Sequence, residues 1–308
     1  MDDRFNITYI TIDGYVEMHR YRYLYFVIMF TAYILIISSN ATIVCLIAIH
    51  KNLHEPMYIF IAALLLNSVL FSTNIYPKLL IDFLSEKQIT TYPLCVFQSF
   101  VYYCLAGSEF LLLAAMSYDR YVSICKPLQY PTIMTKTTVN VLLLLAWLVP
   151  ACQLAVSLAL NTKIKLCTFT LKGIFCNNSL FSLQCVSLAA LSIYGVFMLL
   201  NIALLPLLFI LFTYTKILLI SYRSCKTVRR KAAQTCLPHL LVLMGFSCCV
   251  TFDGVVVRLE SDLPKIIRLI VIFLMILYHP LLNPIIYGLK MKELYKHLKK
   301  LLFQVKSH

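Results

Sequence analysis

The chain has 308 residues, of which 61% are hydrophobic and only 13% charged, and its mean hydropathy is +0.83. A soluble domain of this length cannot cover so much apolar surface with polar side chains, so a water-soluble globule is excluded. The net charge of +14 would suggest a nucleic-acid partner for a soluble protein. In a membrane protein, the distribution of that charge instead indicates how the chain is oriented in the bilayer. We expect the lipid bilayer as a partner and no nucleic acid.

Apolar stretches of membrane-spanning length recur along the whole chain. At ~1.5 Å per residue, a helix of roughly 20 residues crosses a ~30 Å hydrocarbon core. The stretches are Tyr23–Ile49, Met57–Leu80, Cys95–Ile124, Thr138–Leu160, Leu183–Ile220, Pro238–Leu259 and Pro264–Tyr287. A β-barrel would show short alternating segments and many tight turns, whereas this chain has only 7 glycines. The sequence therefore predicts an all-α membrane protein, a seven-transmembrane helix bundle over residues 23–287.

The distribution of Lys and Arg predicts the orientation of these spans. Sixteen of the 27 Lys and Arg residues lie on the side that carries the C-terminus, which the positive-inside rule makes cytoplasmic. Residues 1–22 are then an extracellular N-terminus of a multi-pass plasma-membrane protein. Residues 288–308 are a cytoplasmic tail, in which leucines on one face and lysines elsewhere predict a short amphipathic helix on the inner leaflet.

Covalent modifications are expected on the outer side. Asn6 and Asn177 each begin a glycosylation sequon there. Four of the twelve cysteines fall on this side, namely Cys95, Cys167, Cys176 and Cys185. An oxidising compartment permits two disulfides among them, in any of three connectivities. No Cys and His residues have metal-ligand spacing, so we predict no metal site and no cofactor.

Four segments together carry the pattern of one receptor family. They are Met116–Tyr130 with Asp119-Arg120-Tyr121 inside it, Leu53–Tyr58 before span two, Lys231–His239 opening span six, and Pro280–Tyr287 closing span seven. Jointly they resemble the olfactory (odorant) receptors among rhodopsin-like G-protein-coupled receptors. The resemblance implies a receptor and not an enzyme, with a small-molecule odorant and a heterotrimeric G protein of the stimulatory olfactory type as partners. It also implies that Cys95 pairs with Cys176 and Cys167 with Cys185.

Two other functions stay open at this point. A receptor of the same fold for a non-odorant small molecule, expressed in non-sensory tissue, would carry the same motifs. A seven-helix transporter or channel would usually show repeated halves and interrupted spans, and the sequence has no internal repeat. An enzyme is least favoured, because no nucleophile, base and orienting group share one inward face.

The resemblance implies a conformational switch at the cytoplasmic ends of spans three, five and seven. Desolvating an arginine there is costly, so Asp119 is expected to hold Arg120 in one state and a partner to receive it in another. The missing donor at Pro284 is expected to kink span seven. The candidate switch residues are Asp119, Arg120, Tyr121, Tyr214, Asn283, Pro284 and Tyr287. The alternative is that the charged pair marks the lipid–water boundary and the tyrosines belong to an aromatic belt.

Glu109 is the only acid in the middle third of any predicted span. It lies eleven residues before Arg120, about 16 Å along the helix, and so close to the membrane centre. An intramembrane carboxylate is a functional candidate by default. Rhodopsin-like receptors bind sodium in this region through an acid on span two, where this sequence has Asn67 and Ser68. An ion here would therefore rely on Glu109 with Asn40 and Asn67; the alternative is a protonated Glu109 hydrogen-bonded to a neighbouring helix.

A stripe of small and polar residues on span six predicts a ligand cavity. Ser247, Thr251, Gly254 and Arg258 recur at helical spacing on an otherwise apolar helix, so they are expected to face the bundle. Arg258 at the outer rim is expected to pair with a carboxylate-bearing odorant, or else to reach water and pair with nearby acids. The candidate ligand-binding residues are Tyr102, Tyr103, Ala106, Thr251, Gly254, Arg258 and Phe273.

Overall fold

The computed structural model describes residues 9–161, 166–177, 180, 183, 185, 189–222, 237, 239–248, 250–251 and 264–306. Its main helices are α1 (Met18–Ile49), α2 (Pro56–Leu84), α3 (Tyr92–Cys125), α4 (Lys136–Asn161), α5 (Ala189–Leu199), α6 (Leu205–Tyr222), α7 (His239–Cys248), α8 (Lys265–Lys290) and α9 (Lys292–Lys306). A π-helical turn, Leu200–Leu204, joins α5 to α6. Short helical turns cover Lys51–Leu53, Pro127–Gln129 and Tyr130–Ile133.

Within the described residues, six helical segments are long and apolar enough to cross a membrane. They are α1, α2, α3, α4, the continuous α5–α6 segment and α8. Of the predicted sixth span, the structure describes the shorter apolar helix α7 and a few neighbouring residues. The predicted start of span five is wrong, because Leu183 is buried in the preceding loop and the helix begins at Ala189. The chain is thus a mainly helical, multi-pass membrane protein.

The helices pack around two large apolar clusters. The main core contains Met116, Tyr214 and Tyr287, and the second cluster, which includes Tyr76 and Tyr102, lies towards the other end of the bundle. Residues far apart in the chain meet in both, so the helices are held by tertiary packing as well as by their own hydrogen bonds.

Gly107 lets α3 approach its neighbours closely. A Cβ atom at this position would lie 2.7 Å from Ile202 Cγ2 and 3.0 Å from Pro150 Cβ. Real Cβ atoms do not come so near, so any larger residue would push α3 away from α4 and from the π turn. Small residues at helix contacts serve this purpose in membranes, where packing holds helices together.

A small sheet covers one end of the bundle, which we call the sheet end. Strand β1 (Tyr9–Ile12) lies between β2 (Ile89–Thr91), to which it is antiparallel, and β3 (Thr170–Leu171), to which it is parallel. The all-α prediction is wrong in this respect. Strand β1 shows the alternation of exposed and buried side chains that is typical of a strand with one buried face. Ile10 and Ile12 are buried, and Tyr9 and Thr11 are exposed.

Below the sheet, the N-terminal segment is fastened to α2. The Tyr15 hydroxyl lies 3.4 Å from Asp82 Oδ2 and 3.2 Å from the carbonyl oxygen of Ile174, and Lys78 forms an ion pair with Asp82. Burial raises the pKa of Tyr15 well above its ordinary value, and the Asp82 carboxylate raises it further, so the phenol keeps its proton. These contacts hold the N-terminal segment across the sheet end of the bundle.

Two disulfides complete the sheet end. Cys95, in the first turn of α3, is bonded to Cys176, and Cys167 is bonded to Cys185. This is the pairing that the resemblance implies. Cys95 and Cys176 are buried together with Ile10 and Leu171 in a third apolar cluster, so the first disulfide joins α3 to the sheet.

The last helix, α9, lies within the predicted tail of residues 288–308. Leu294 is fully buried and Leu298 packs against the main core. The His297 ring lies 4.0 Å from the His50 ring at the end of α1, measured between centroids, so α9 rests against that end of the bundle. Desolvation lowers the pKa of His297, and His50 and the neighbouring lysines of α9 lower it further.

Candidate functional site

Asp119 and Arg120 form an ion pair at the end of α3 away from the sheet, which we call the Arg120 end. Arg120 Nε donates to Asp119 Oδ2 at 2.9 Å, and the side chain of Asp119 is fully buried while that of Arg120 is 15% exposed. The neighbouring Tyr121 is half-buried and packs against the main core. A buried carboxylate thus holds a partly exposed arginine at this end of the bundle.

Tyr130 also binds Asp119, and the sequence reasoning missed it. Its hydroxyl donates to Asp119 Oδ1 at 2.8 Å, so both carboxylate oxygens are occupied. Burial raises the pKa of Tyr130, and the Asp119 carboxylate raises it further, so the hydroxyl stays a donor. The signal was present, because Tyr130 ends the same segment that contains Asp119-Arg120-Tyr121.

Tyr130→Phe is expected to raise, several-fold, the ligand-independent activation of the G protein that the resemblance implies, measured as cyclic AMP. A hydrogen bond to a charged group is worth about 1.5–3 kcal/mol, and losing it frees Asp119 to release Arg120. Cyclic AMP is measured in cells at matched surface expression. Tyr222→Phe, at a position 76% exposed, is the control. Equal basal cyclic AMP in the two variants would mean that Tyr130 does not restrain the pair.

Tyr287 and Tyr214 are buried in the main core near this end. The Tyr287 hydroxyl lies 3.4 Å from His239 Nδ1, and all three side chains are at most 2% exposed. His239 was not among the candidate residues, although it ends the segment Lys231–His239 that carries the resemblance. Helix α8 continues through Pro284 to Lys290. The three residues thus join α6, α7 and α8 in one buried contact region.

Glu109 lies in a polar cluster at the middle of the bundle, which we call the central polar cluster. The Asn67 amide donates to Glu109 Oε2 at 3.0 Å, and the Asn283 amide lies 3.2 Å from Glu109 Oε1 and 3.1 Å from Ser68 Oγ. His279 Nε2 is in direct contact with Glu109 Oε1. These five side chains are at most 4% exposed, so the cluster is enclosed by protein.

The structure brings only some of the predicted ion-site residues together. Asn40 is not among the partners of Glu109, because its amide donates to the carbonyl oxygens of Ile36 at 2.8 Å and Pro280 at 2.9 Å. His279 takes part instead, and sequence reasoning missed it. The only signal was a polar residue before Pro280 in an apolar span, and periodicity does not show which helix such a residue faces.

The candidate ligand residues of α3 fall into different surroundings. The Tyr102 ring packs against Phe71 and Phe175, each with centroids 5.2 Å apart, in the second apolar cluster. The Tyr103 ring meets that of Tyr102 edge-on at 4.9 Å. Ala106 packs against the main core. Phe175 was not predicted, and it brings the loop before α5 down onto α3.

The remaining ligand candidates lie on α8, just beyond α7, or outside the described residues. Phe273 packs in the second cluster, with its ring 5.9 Å from that of Tyr25. Thr251 is exposed, and Ser247, one turn earlier, is half-buried. Gly254 and Arg258 lie outside the described residues, so the predicted stripe is seen only at its first two positions.

The two glycosylation candidates lie in different parts of the chain. Asn6 lies outside the described residues. Asn177 is only 3% exposed and directly follows Cys176 of the first disulfide, and its glycosylation stays a prediction.

Comparison with known proteins gives one family over almost the whole chain. Residues 28–305 match the family described as "Olfactory receptor". Human Olfactory receptor 6B1 is 33% identical over 310 residues, which is 98% of this chain and 97% of the relative. Human Olfactory receptor 2T27 is 31% identical over 93% of this chain and 91% of its own length, and dog Olfactory receptor-like protein OLF4 is 29% identical over 91% of each. The chain belongs to the olfactory receptor family, whose members are membrane receptors and not enzymes.

Proposed function

We propose that this odorant receptor activates a heterotrimeric G protein of the stimulatory olfactory type and so raises cyclic AMP. The observation that carries the proposal is the Asp119–Arg120 pair at the Arg120 end, held from the second side by Tyr130. A partly exposed arginine beside a buried carboxylate is suited to move from an internal partner to an external one.

The proposal includes the seven-span arrangement and its orientation. Residues 1–22 are extracellular, residues 23–287 form the receptor domain, and residues 288–308 form a cytoplasmic tail whose helix lies with its leucines towards the inner leaflet. Helix α7 belongs to the sixth of seven spans. The excess of Lys and Arg on the side of the C-terminus supports this orientation. In this orientation the sheet end is extracellular and the Arg120 end faces the G protein in the cytoplasm.

The mechanism is a population shift. In the closed state Asp119 holds Arg120, and in the open state Arg120 is free. An odorant that binds the open state more tightly than the closed state stabilises the open state by the difference in binding free energy. The contact of Tyr287 with His239 joins α8 to α7 near Arg120, and Tyr214 of α6 is buried in the same core. Separation of these helix ends would free Arg120 and open a surface for the G protein.

We propose that Arg258 recognises a carboxylate on the odorant, next to Gly254 and Thr251 of span six and the α3 residues Tyr102 and Tyr103. Arg258→Gln is then expected to reduce the potency of a carboxylic acid agonist more than tenfold, because losing a buried charged contact costs about 2–5 kcal/mol. The methyl ester of the same acid should keep its potency. Gly254→Leu should weaken both compounds by filling the space for the apolar tail. Equal losses for acid and ester on Arg258→Gln would show that Arg258 supports the fold and does not bind the carboxylate.

The function itself is tested by exposing cells that express the receptor to a panel of odorant acids, amines, alcohols and aldehydes. Cyclic AMP should rise for a subset of the panel in cells with the wild-type chain and for none in cells without it. Receptor-dependent binding of odorants from the panel at the cell surface, with no change in cyclic AMP for any of them, would contradict the proposed type of G protein.

A further inference from the structure

A groove between α1, α2 and α4 lies at the Arg120 end of the bundle, away from the residues of the proposed switch. It has a volume of about 580 Å³ and is lined by Ile47 of α1, by Ile59 and Ala62 of α2 and by Val139 of α4, among others. This volume lies within the range of cavities that hold small molecules. Most of the side chains that line the groove are apolar, so its occupant is expected to be apolar over most of its length.

The apolar part of the groove extends from the helix ends into the depth of one membrane leaflet. Val44 lies five residues before the end of α1, and Ala62 lies six residues after the start of α2. At ~1.5 Å per residue, these positions are roughly 8 Å and 9 Å from the helix ends. Ala48 and Ala62 leave the groove open, since a longer side chain at either position would extend into it. The groove therefore suits part of a lipid acyl chain.

The other end of the groove is polar and basic. His54, which precedes α2, and Lys136, the first residue of α4, both line the groove and are exposed. The Asn140 side chain lies one helical turn beyond Lys136 and lines it too. Because α4 begins here, the positive end of its helix dipole adds to the charge of Lys136. The acidic Glu55 follows His54 in the chain but is not among the lining residues, so this end of the groove favours an anion.

We propose that this groove binds an anionic phospholipid of the inner leaflet, with the phosphate and headgroup at Lys136 and His54 and part of one acyl chain along Ile59 and Val139. The apolar wall alone would accept any lipid or the surface of a second receptor. The basic end selects a negative headgroup, and basic pockets between helices on the cytoplasmic side suit such lipids. The proposal rests on the proposed orientation, in which the Arg120 end is cytoplasmic.

Thermal unfolding in detergent tests the binding where neither the orientation nor a G protein is involved, so a failure of the proposed function would leave this result unchanged. Purified receptor is heated in mixed micelles with increasing mole fractions of phosphatidylserine or phosphatidylcholine, and Tm is measured. Phosphatidylserine is expected to raise the Tm of the wild type at a lower mole fraction than phosphatidylcholine does. Lys136→Gln should need about fivefold more phosphatidylserine for the same rise, because one basic side chain contributes about that factor in affinity.

Lys126→Gln is the matched control, because Lys126 is an exposed lysine at the same end that does not line the groove. Ala62→Leu fills the apolar part and should also weaken the response to phosphatidylserine. Ala41→Leu, at an exposed alanine of α1 outside the groove, should not. Equal responses of Lys136→Gln and Lys126→Gln would overturn the proposal, since they would show an effect of net charge alone. Equal stabilisation of the wild type by both lipids would also overturn it.

Photocrosslinking of the wild-type chain applies even where a variant does not fold. Phosphatidylserine with a photoreactive group in its acyl chain is added to purified receptor, and the labelled peptides are identified by mass spectrometry. Labelling should concentrate around Ile47, Ile59 and Val139 and fall when unlabelled phosphatidylserine is added. Labelling spread evenly over all the apolar helices would contradict the proposal. Crosslinks between two receptor chains at these residues would show that a second copy occupies the groove instead.

Discussion

Arg120→Ala is expected to abolish the odorant-stimulated rise in cyclic AMP while odorant binding persists. The guanidinium is held by Asp119 in this structure and is only partly exposed, and its transfer to the G protein is the proposed activating step. Without it the helix ends can separate, but the partner finds no arginine to bind. Cyclic AMP is measured at matched surface expression, with surface receptor counted by an N-terminal tag.

The variant also leaves the buried Asp119 carboxylate without its cation, which typically costs about 3–5 kcal/mol. Arg120→Lys keeps the charge but loses the planar guanidinium and its paired N–H donors. This variant should therefore fold better than Arg120→Ala and still signal weakly. Lys126→Ala removes an exposed cation six residues further on and should signal as wild type. A cyclic AMP response of normal amplitude in Arg120→Ala would remove Arg120 from the mechanism.

Cys95→Ser is expected to block delivery of the receptor to the cell surface. The Cys95–Cys176 disulfide closes a loop of 81 residues and joins α3 to the sheet end, with both sulfur-bearing side chains at most 1% exposed. Disulfides of this kind contribute typically about 2–4 kcal/mol, which is a large share of the stability of a domain. Surface receptor is measured by flow cytometry against total receptor in the same cells.

Cys167→Ser should have a smaller effect, because its disulfide closes a separation of only 18 residues and chain entropy makes the difference about 1 kcal/mol. Cys152→Ser is the control, since Cys152 is a free and exposed cysteine of α4. A disulfide map that bonds Cys95 to Cys167 or Cys185 would overturn this pairing.

Local sequence signals predicted the helices well. Hydropathy sets the length of each span, and the predicted stretches Met57–Leu80 and Pro264–Tyr287 correspond closely to α2 and α8. The end of a span is less well marked. Leu183 is as apolar as a span residue, but it is buried in a loop cluster with the Cys95–Cys176 disulfide. Apolar character alone does not distinguish burial in a loop from burial in lipid.

The Asp119–Arg120 pair was also readable from the sequence, since the two residues are neighbours on one helix and their pairing needs no other element. Tyr130 reaches Asp119 because a short turn after α3 brings the chain back across the helix end. The periodicity of apolar residues does not predict such a turn. The sheet escaped prediction for a similar reason. Its strands have two to four residues, and β1 pairs with segments about 80 and about 160 residues away along the chain.

By itself, then, the sequence determined a multi-pass helical membrane protein, the receptor motifs and the intramembrane carboxylate Glu109, because hydropathy, charge and short motifs are local properties. Only the tertiary structure decided the partners of that carboxylate. His279 lies 170 residues further along the chain, and whether it or Asn40 faces Glu109 depends on how each helix is rotated about its own axis. That rotation is set by the packing of all neighbouring helices together, which no single stretch of sequence specifies.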